Sequence, residues 1–578
     1  MCGIWALLFK QQQDIGQIYK KFRKIKHRGP DRSTLVEMPN TLIGFHRLAI
    51  MDLSTNGDQP FVIEQDNKQI YAICNGEIYN YKELIAKYDI QTKSGSDCEM
   101  IPHLFVKVGM EQMLQEFIGE YALTIIVNDL TNDTVTFHIG RDEFGIRPLF
   151  YGQNNNMFNI SSELKGLLKF KHPKQFPPRF YGTINYNGRT DQLSQLQLTE
   201  YHNLFPRVCR TDFTQIKKEI HDRLVEAVRC RLAADVPIGC LLSGGLDSSL
   251  VASIASRILK ESGKVLQTFS IGMKGSTDEP FAKMVAEFIG SNHTHIELTE
   301  EEWLHALPSV VYATETFDIT TIRASTGQLL ASKKIFELTG IKTLLNGDGS
   351  DEAFFGYLYN KNAPTPFDSQ HDSFRLLSDI HFFDGLRVDR GIASNGIEAR
   401  VPFLDKRLIE LVLSVHPDLK APHNGIEKYL LRESFNNKDD PYLPQEVLFR
   451  QKEAFSDGVS SKENSWFTII QNELNTYYTD DEFEKARKRY THCPPPTKEA
   501  LYYRQMFDYF FTFENDYIDM SYSNIYVLTE HEYQTMDPST VDHTIDHVIP
   551  YYWLPRWCGN VNEPSARILN VYPNQQEA

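Results

Sequence analysis

Long apolar runs are missing from this chain of 578 residues. No stretch reaches the roughly 18–20 consecutive apolar residues of a membrane span, and the first residues carry no signal-peptide core. A soluble protein without a membrane partner is expected. Positive charge is scarce as well: the formal net charge is −16 at pH 7. That excludes a general nucleic-acid or membrane-surface binder, because polyanions require a basic footprint. Paired cysteines are absent. The eight cysteines (Cys2, Cys74, Cys98, Cys209, Cys230, Cys240, Cys493 and Cys558) are scattered with no CxxC pair. A zinc or disulfide framework is therefore not expected, and a reducing, cytoplasmic setting is. No internal repeat is found. One segment lacks a whole charge sign: between Arg504 and Arg556 there is no Lys or Arg, while acidic residues and tyrosines accumulate.

What is present describes an ordinary globular protein, with 41% hydrophobic and 24% charged residues. The length is too great for one core and predicts two to four domains. Residues 1–170 read as short apolar strands with turns, among them 41–50, 69–74 and 121–128, with few long helical patterns. The stretch 171–207 carries Pro173, Pro177, Pro178 and Pro206 and reads as a linker or domain-crossing segment. Beyond it the style changes. Ile216, Ile220, Leu224, Val228 and Leu232 recur every four residues and mark an amphipathic helix. Strands at 236–242, 265–271, 293–298 and 342–345 then alternate with helices at 248–259 and 278–289. The second of these is expected to be capped by Asp278 and ended by Gly290. This rhythm predicts a parallel sheet covered by helices. After residue 370 the chain reads as mostly helical.

Two places carry chemistry. Cys2 becomes the N-terminus if Met1 is removed, uniting a thiol with an α-amine of pKa near ~7.7–8.0 that can take the thiol proton. An amide-hydrolysing thiol needs oxyanion donors and groups for the charged ends of an amino acid. Asn75 and Gly76 supply a side-chain amide and a backbone N–H at a tight turn, Arg47 suits a carboxylate, and Asp97 suits an ammonium. The second place is Ser243-Gly244-Gly245-Leu246-Asp247-Ser248-Ser249, between a strand and a helix. Its glycines admit an anion, and the helix N-terminus and hydroxyls donate to it. It lacks the Gly-Lys-Ser/Thr ending of a Walker A loop. A second turn, Asn346-Gly347-Asp348-Gly349-Ser350-Asp351-Glu352, follows the strand at 342–345, and together the two form a candidate nucleotide and metal site.

The first of these turns resembles the PP-loop of ATP pyrophosphatases. Met1-Cys2-Gly3-Ile4, His27-Arg28-Gly29-Pro30-Asp31, His46-Arg47-Leu48-Ala49-Ile50, Asn75-Gly76-Glu77-Ile78-Tyr79-Asn80 and Gly95-Ser96-Asp97 together resemble the glutaminase domain of class II glutamine amidotransferases. With Thr320-Thr321-Ile322-Arg323-Ala324-Ser325, Val401-Pro402-Phe403-Leu404-Asp405, Asn424-Gly425-Ile426-Glu427-Lys428 and Lys452-Glu453-Ala454-Phe455-Ser456-Asp457-Gly458, the whole is similar to the glutamine-hydrolysing asparagine synthetase family, above all its eukaryotic branch. The likeness runs from residue 1 to about 510 and resumes near 552–567.

The resemblance implies an α+β N-terminal-nucleophile domain, an αββα sandwich, over 2–202. An α/β PP-loop synthetase domain with a parallel sheet and a helical C-terminal part follows over 203–578. Cys2 would be the nucleophile, with Asn75 and Gly76 at the oxyanion. Arg47, Leu48, Ala49, Ile50, Met51, Glu77 and Asp97 would line the glutamine pocket. Ammonia would pass through an interior tunnel to β-aspartyl-AMP made from aspartate and ATP, giving asparagine, AMP and pyrophosphate. Leu242, Ser243, Gly244, Gly245, Asp247, Ser248, Ile271, Asn346 and Gly347 match ATP-binding positions. Thr321, Arg323, Arg387 and Lys452 match residues near the phosphates and aspartate, and Asp247 and Asp351 match Mg²⁺ ligands. A homodimer is the family's habit.

Two departures stand out. Close relatives usually have Ser-Gly-Glu where this chain has Asn346-Gly347-Asp348, so the carboxylate implicated in adenylate formation is one methylene shorter; bacterial cousins often carry Asp there, and activity is expected. The acidic stretch around 515–548 is longer than the family tail, and its His543 and His547 stand four residues apart. The rival readings are a β-lactam synthetase-like ligase, disfavoured by Cys2, and a catalytically weak, glutamine-sensing regulatory homologue.

Overall fold

The computed structural model describes residues 1–11, 14–204, 206–512, 543–559, 561, 563–565 and 567. The acidic stretch therefore lies outside the described residues except for its last turn, His543–Val548, and the His543 side chain lies outside them too. The chain forms two compact units. One comprises Met1–Leu204 with Ala233–Pro237 and Ala393–Ala399; the other comprises the described parts of Phe205–Leu232, Ile238–Ile392 and Arg400–Ala578.

Among its described residues the first unit holds thirteen strands: β1 (Gly3–Phe9), β2 (Arg32–Met38), β3 (Thr41–Arg47), β4 (Phe61–Gln65), β5 (Lys68–Ile78), β6 (Gly119–Asp129), β7 (Thr134–Arg141), β8 (Phe150–Gln153), β9 (Met157–Ser161), β10 (Lys174–Gln175), β11 (Phe180–Asn187), β12 (Gln192–Leu193) and β13 (Gln197–Glu200). Its helices are α1 (Ile15–Arg23), α2 (Tyr81–Lys87) and α3 (Met100–Glu116). Six strands form one antiparallel sheet in the order β10-β8-β9-β1-β3-β2. The other sheet runs β12-β11-β7-β6-β5-β4, with β13 also on β11. Ile4, Ala6 and Leu8 pack with Ile73, Ala122 and Phe137 of the other sheet, while Trp5 and Leu7 pack outward on Ile18 and Phe22 of α1. With both faces covered, β1 reads as an unbroken apolar run instead of an alternating one. On the far side, Ile70, Ala72 and Cys74 of β5 meet Leu84 of α2 and Leu104, Met113 and Leu114 of α3. The layers are helix, sheet, sheet, helix: the expected αββα sandwich.

One expectation fails here. The proline-rich stretch is no linker, because β10–β13 lie within 171–207 and β11 is paired to β7 from Tyr181↔Gly140 to Asn187↔Thr134. Long helices are few, as expected: among the described residues of this unit only α3 is long, 17 residues bent at Gly109 with φ +77°.

The second unit is built on β14 (Ile238–Leu241), β15 (Gln267–Gly272), β16 (Asn292–Glu297) and β17 (Thr343–Leu345), in the order β16-β15-β14-β17. The pairs β14–β15, β14–β17 and β15–β16 are parallel. Its first helices are α4 (Phe213–Cys230), α5 (Leu246–Glu261), α6 (Glu279–Ile289), α7 (Glu300–His305), α8 (Leu307–Thr314), α9 (Ile319–Thr339), α10 (Ser350–Ala353), α11 (Pro366–Asp379) and α12 (Asp384–Ala393). Helix α4 buries Ile216, Ile220, Leu224 and Val228, as the four-residue recurrence predicts. Gly290 ends α6 in the left-handed conformation, but the Asp278 side chain accepts no cap hydrogen bond: its carboxylate accepts from Arg450 at 2.8 Å instead. Short helices dominate the remainder. No helix among the described residues is long and apolar enough to cross a membrane.

Candidate active sites

Cys2 immediately precedes β1, half-buried, with the Leu48 N–H 3.5 Å from its Sγ and Arg28 Nε donating to its carbonyl at 3.0 Å. With Met1 in place, burial pushes the Cys2 thiol up to about 11, opposed by the adjacent Met1 ammonium, and Glu77 lies close enough to add to the rise. Burial also lowers the Met1 amine to about 6. That amine is 3.9 Å from Glu398. Met1 thus fills a dry, charged recess, while its own amine is easily neutralised.

Asn75 and Gly76 sit near the end of β5. Both polar atoms of the Asn75 side chain are buried and without a hydrogen-bond partner. A buried amide left unpaired costs ~1–3 kcal/mol, so it marks a place prepared for a ligand. Gly76 has φ +143°, and a Cβ there would stand 1.9 Å from the Glu120 carbonyl, so no other residue fits. Asp97 accepts from the Ile78 N–H at 2.7 Å, and Glu77 and Asp97 are both buried. Arg47 differs from expectation. Its Nη1 donates to Ser54 O (2.6 Å) and Asp58 Oδ1 (2.5 Å), and its Nη2 to Met51 O (3.2 Å) and Asp52 O. All four Nη hydrogens are engaged by the loop after β3, so Arg47 braces the pocket loop in this arrangement and can clamp a carboxylate only if that loop yields.

In the second unit, one cavity of about 210 Å³ is lined by Leu242, Ser243, Gly245, Asp247, Ser248, Ile271, Asn346, Gly347, Asp348, Asp351, Arg323, Arg387 and Lys452. Ser243 Oγ and Ser248 Oγ are 2.9 Å apart across the turn, and the N-cap residue Gly245 makes no side-chain cap, leaving the first-turn N–H groups of α5 available to an anion. Gly244 stands behind this turn. Its φ is +77°, and a Cβ would meet Ala282 N at 2.4 Å, so it seats the loop on α6 and does not line the cavity. The second turn closes from the other side: a Cβ on Gly347 would meet Ser248 N at 2.7 Å.

Lys428 binds the two turns together. Its Nζ is 2.6 Å from both Asp247 Oδ2 and Asp351 Oδ1, and Lys452 Nζ is 2.5 Å from Asp351 Oδ2. Burial alone would raise the Asp351 pKa, but the two ammonium groups hold it well below the usual carboxylate range. Asp348 behaves oppositely: burial pushes its carboxyl up, against the pull of its partner Arg387. Two of the four residues expected near phosphate and aspartate are paired with other side chains of the protein. Thr321 donates to Asp318 Oδ2 at the start of α9 (2.9 Å from N, 2.8 Å from Oγ1). Arg323 is gripped by Glu499 (2.8 and 2.5 Å) and Glu563 (2.6 and 3.0 Å), which more than cancel its charge.

The carboxylates fit a hard cation. Asp247 and Asp351 converge on a single point now held by Lys428, and Asp247 Oδ1 is buried without a partner.

A model described as glutamine amidotransferase domain matches residues 1–179, and one described as asparagine synthase matches 219–378 and 368–523. The glutamine-hydrolysing asparagine synthetase of Gallus gallus is 37% identical, covering 99% of both chains, and that of Bos taurus is 38% identical at the same coverage. The chain belongs to the asparagine synthetase family. Among solved structures, a glutamine phosphoribosylpyrophosphate amidotransferase from B. subtilis shares 14% identity over 51% of this chain and 81% of that one, at a TM-score of 0.29, too slight to carry weight.

For this asparagine synthetase family member, sequence reasoning missed Lys428, Tyr357 and Asp384 as cavity residues. Lys428 closes the Asn424–Lys428 motif that carried part of the resemblance, so its signal was present. Tyr357 Oη lies 2.6 Å from Glu352 Oε1 and 3.1 Å from Asp384 Oδ2. Burial and the facing Asp384 push the Glu352 carboxyl well above its ordinary range.

Proposed function

We propose that the protein makes asparagine from aspartate, glutamine and ATP, with two divided tasks. Removal of Met1 moves the α-amine onto Cys2, where it takes the thiol proton. The thiolate attacks the glutamine side-chain amide, and the unpartnered Asn75 amide with the Gly76 N–H stabilises the oxyanion. Ammonia leaves, and water releases glutamate from the thioester. The single observation that carries this half is the buried, unsatisfied side chain of Asn75.

In the second unit, the Ser243–Ser249 turn holds the ATP phosphates at the start of α5. The aspartate carboxylate attacks the α-phosphate, pyrophosphate departs, and ammonia displaces AMP. Lys452 and Arg387 are the cavity cations suited to the charge that develops on phosphate. Mg²⁺ held by Asp247 and Asp351 would neutralise the leaving pyrophosphate. Lys428 keeps those two carboxylates together. The enzyme is further proposed to be cytoplasmic and homodimeric.

Incubation with labelled aspartate, glutamine, ATP and Mg²⁺ tests the reading. Asparagine, AMP, pyrophosphate and glutamate are expected in equal amounts; no AMP above background would end the synthetase assignment.

A further inference from the structure

The edge strand β16 carries His295 and Glu297, and the start of α6 carries Glu279. One ligand atom from each lies within 4.8 Å of the others. His295 Nε2 is shut off from solvent and has no hydrogen-bond partner. It stands 3.7 Å from Glu279 Oε2, too far for a hydrogen bond. Two ligands each ~2.1 Å from a tetrahedral ion are themselves about 3.4 Å apart, so this spacing suits a shared cation better than direct contact. The other Glu279 oxygen, Oε1, accepts from Lys283 at 2.5 Å, which leaves Oε2 toward the imidazole.

An independent feature lies behind the histidine. His295 Nδ1 is 2.8 Å from Ser270 Oγ, which is 3.0 Å from His293 Nε2. His293 Nδ1 is in turn 3.0 Å from Thr268 Oγ1. An imidazole held at one nitrogen by a polar chain, with the other nitrogen buried and unpaired, is how metal-bound histidines are oriented.

We propose that Glu279 Oε2, His295 Nε2 and a Glu297 carboxylate oxygen form a binding site for a divalent transition ion of the Zn²⁺ type, with solvent completing the coordination. One imidazole and two carboxylates favour such an ion over Mg²⁺, which prefers oxygen alone. The ion pins the start of α6 to the edge of the sheet. The proposal stands apart from the asparagine-forming reading and survives its failure.

Chelator-stripped full-length protein is titrated with Zn²⁺ by calorimetry and with Co²⁺ by visible absorption. Wild type is expected to bind one equivalent with an imidazole and carboxylate spectrum and no thiolate charge-transfer band. His295→Gln and the exposed-site variant Glu297→Gln each lower affinity about 100-fold, and Ser270→Ala about 10-fold, because it frees the imidazole. Folding of each variant is checked by near-ultraviolet circular dichroism, and Glu297→Gln decides if His295→Gln does not fold. Unchanged affinity in either ligand variant, or a thiolate band that persists in them, overturns the site. Affinity indifferent to Ser270→Ala also overturns it, leaving an adventitious surface ion.

Discussion

Lys420 is buried, its Nζ lacks a hydrogen-bond partner, and its ammonium lies 4.5 Å from the Phe355 ring centroid. Burial pushes it down from the ordinary 10.5 to about 7. The folded chain therefore sheds this proton before the unfolded chain does, and stability rises with pH between about 7 and 10.5. The penalty is fully present below 7 and gone above the unfolded value. Lys420→Met is expected to stabilise the second unit by on the order of a few kcal/mol near pH 6 and by much less at pH 10. Urea midpoints at the two pH values measure this; an equal gain at both would show that the charge is not what costs stability. Asp348 is the second residue that departs from its surroundings' needs. Its carboxylate is drawn back to Arg387 and Gln328, the latter at 3.3 Å. Asp348→Glu carries the oxygens one methylene further toward the cavity and is expected to raise pyrophosphate release by roughly threefold to tenfold. An unchanged rate would mean that the shorter acid is no handicap.

Between elements, the decisive contact is that of the two glycine turns. Gly347 needs no unusual φ, so its value lies only in having no side chain where Ser248 N and Asp247 C approach. Gly347→Ala drives a methyl against backbone that cannot step aside, and a displacement near 1 Å at a reacting centre costs about 100-fold. ATP-dependent pyrophosphate release should fall by about that much while glutamate release from glutamine continues; a normal release rate would show that the turns move independently. These turns were legible in the sequence because glycines, hydroxyls and a preceding strand leave a local pattern. So were the sheet strands and α4, whose periodicity is set by their own residues. Helix α3 was not: Gly109 breaks its phase, and burial of Met100, Leu104, Met113 and Leu114 blurs its polar face. Strand β11 was hidden by prolines at 173, 177 and 178, which end just before it begins. The Asp278–Arg450 pair joins residues 172 positions apart, beyond any local signal. Lys428 was visible as the end of the Asn424–Lys428 motif, but its left-handed φ of 54° and its two aspartate partners are fixed by tertiary contacts.

At the scale of the molecule, the boundary is not a single cut. Ala233–Pro237 and Ala393–Ala399 belong to the first unit, held by contacts such as Asp235 N to Ile50 O at 3.0 Å and the Met1 amine to Glu398 at 3.9 Å. Those partners lie far apart in the chain, which is why a sequence reading draws one boundary where the structure has several. The chemistry nevertheless divides cleanly. Every residue proposed for glutamine hydrolysis lies in the first unit, and the whole nucleotide cavity lies in the second. Cys2→Ala removes only the thiol from a half-buried position and leaves the Asn75 and Gly76 donors in place. Glutamine-dependent asparagine formation should then fall to background, since no other group supplies the nucleophile. Synthesis fed by ammonium chloride should stay within about twofold of wild type, because adenylation and amide formation need nothing from Cys2. Loss of both activities in a variant that still binds ATP would refute that division and make Cys2 part of one coupled centre.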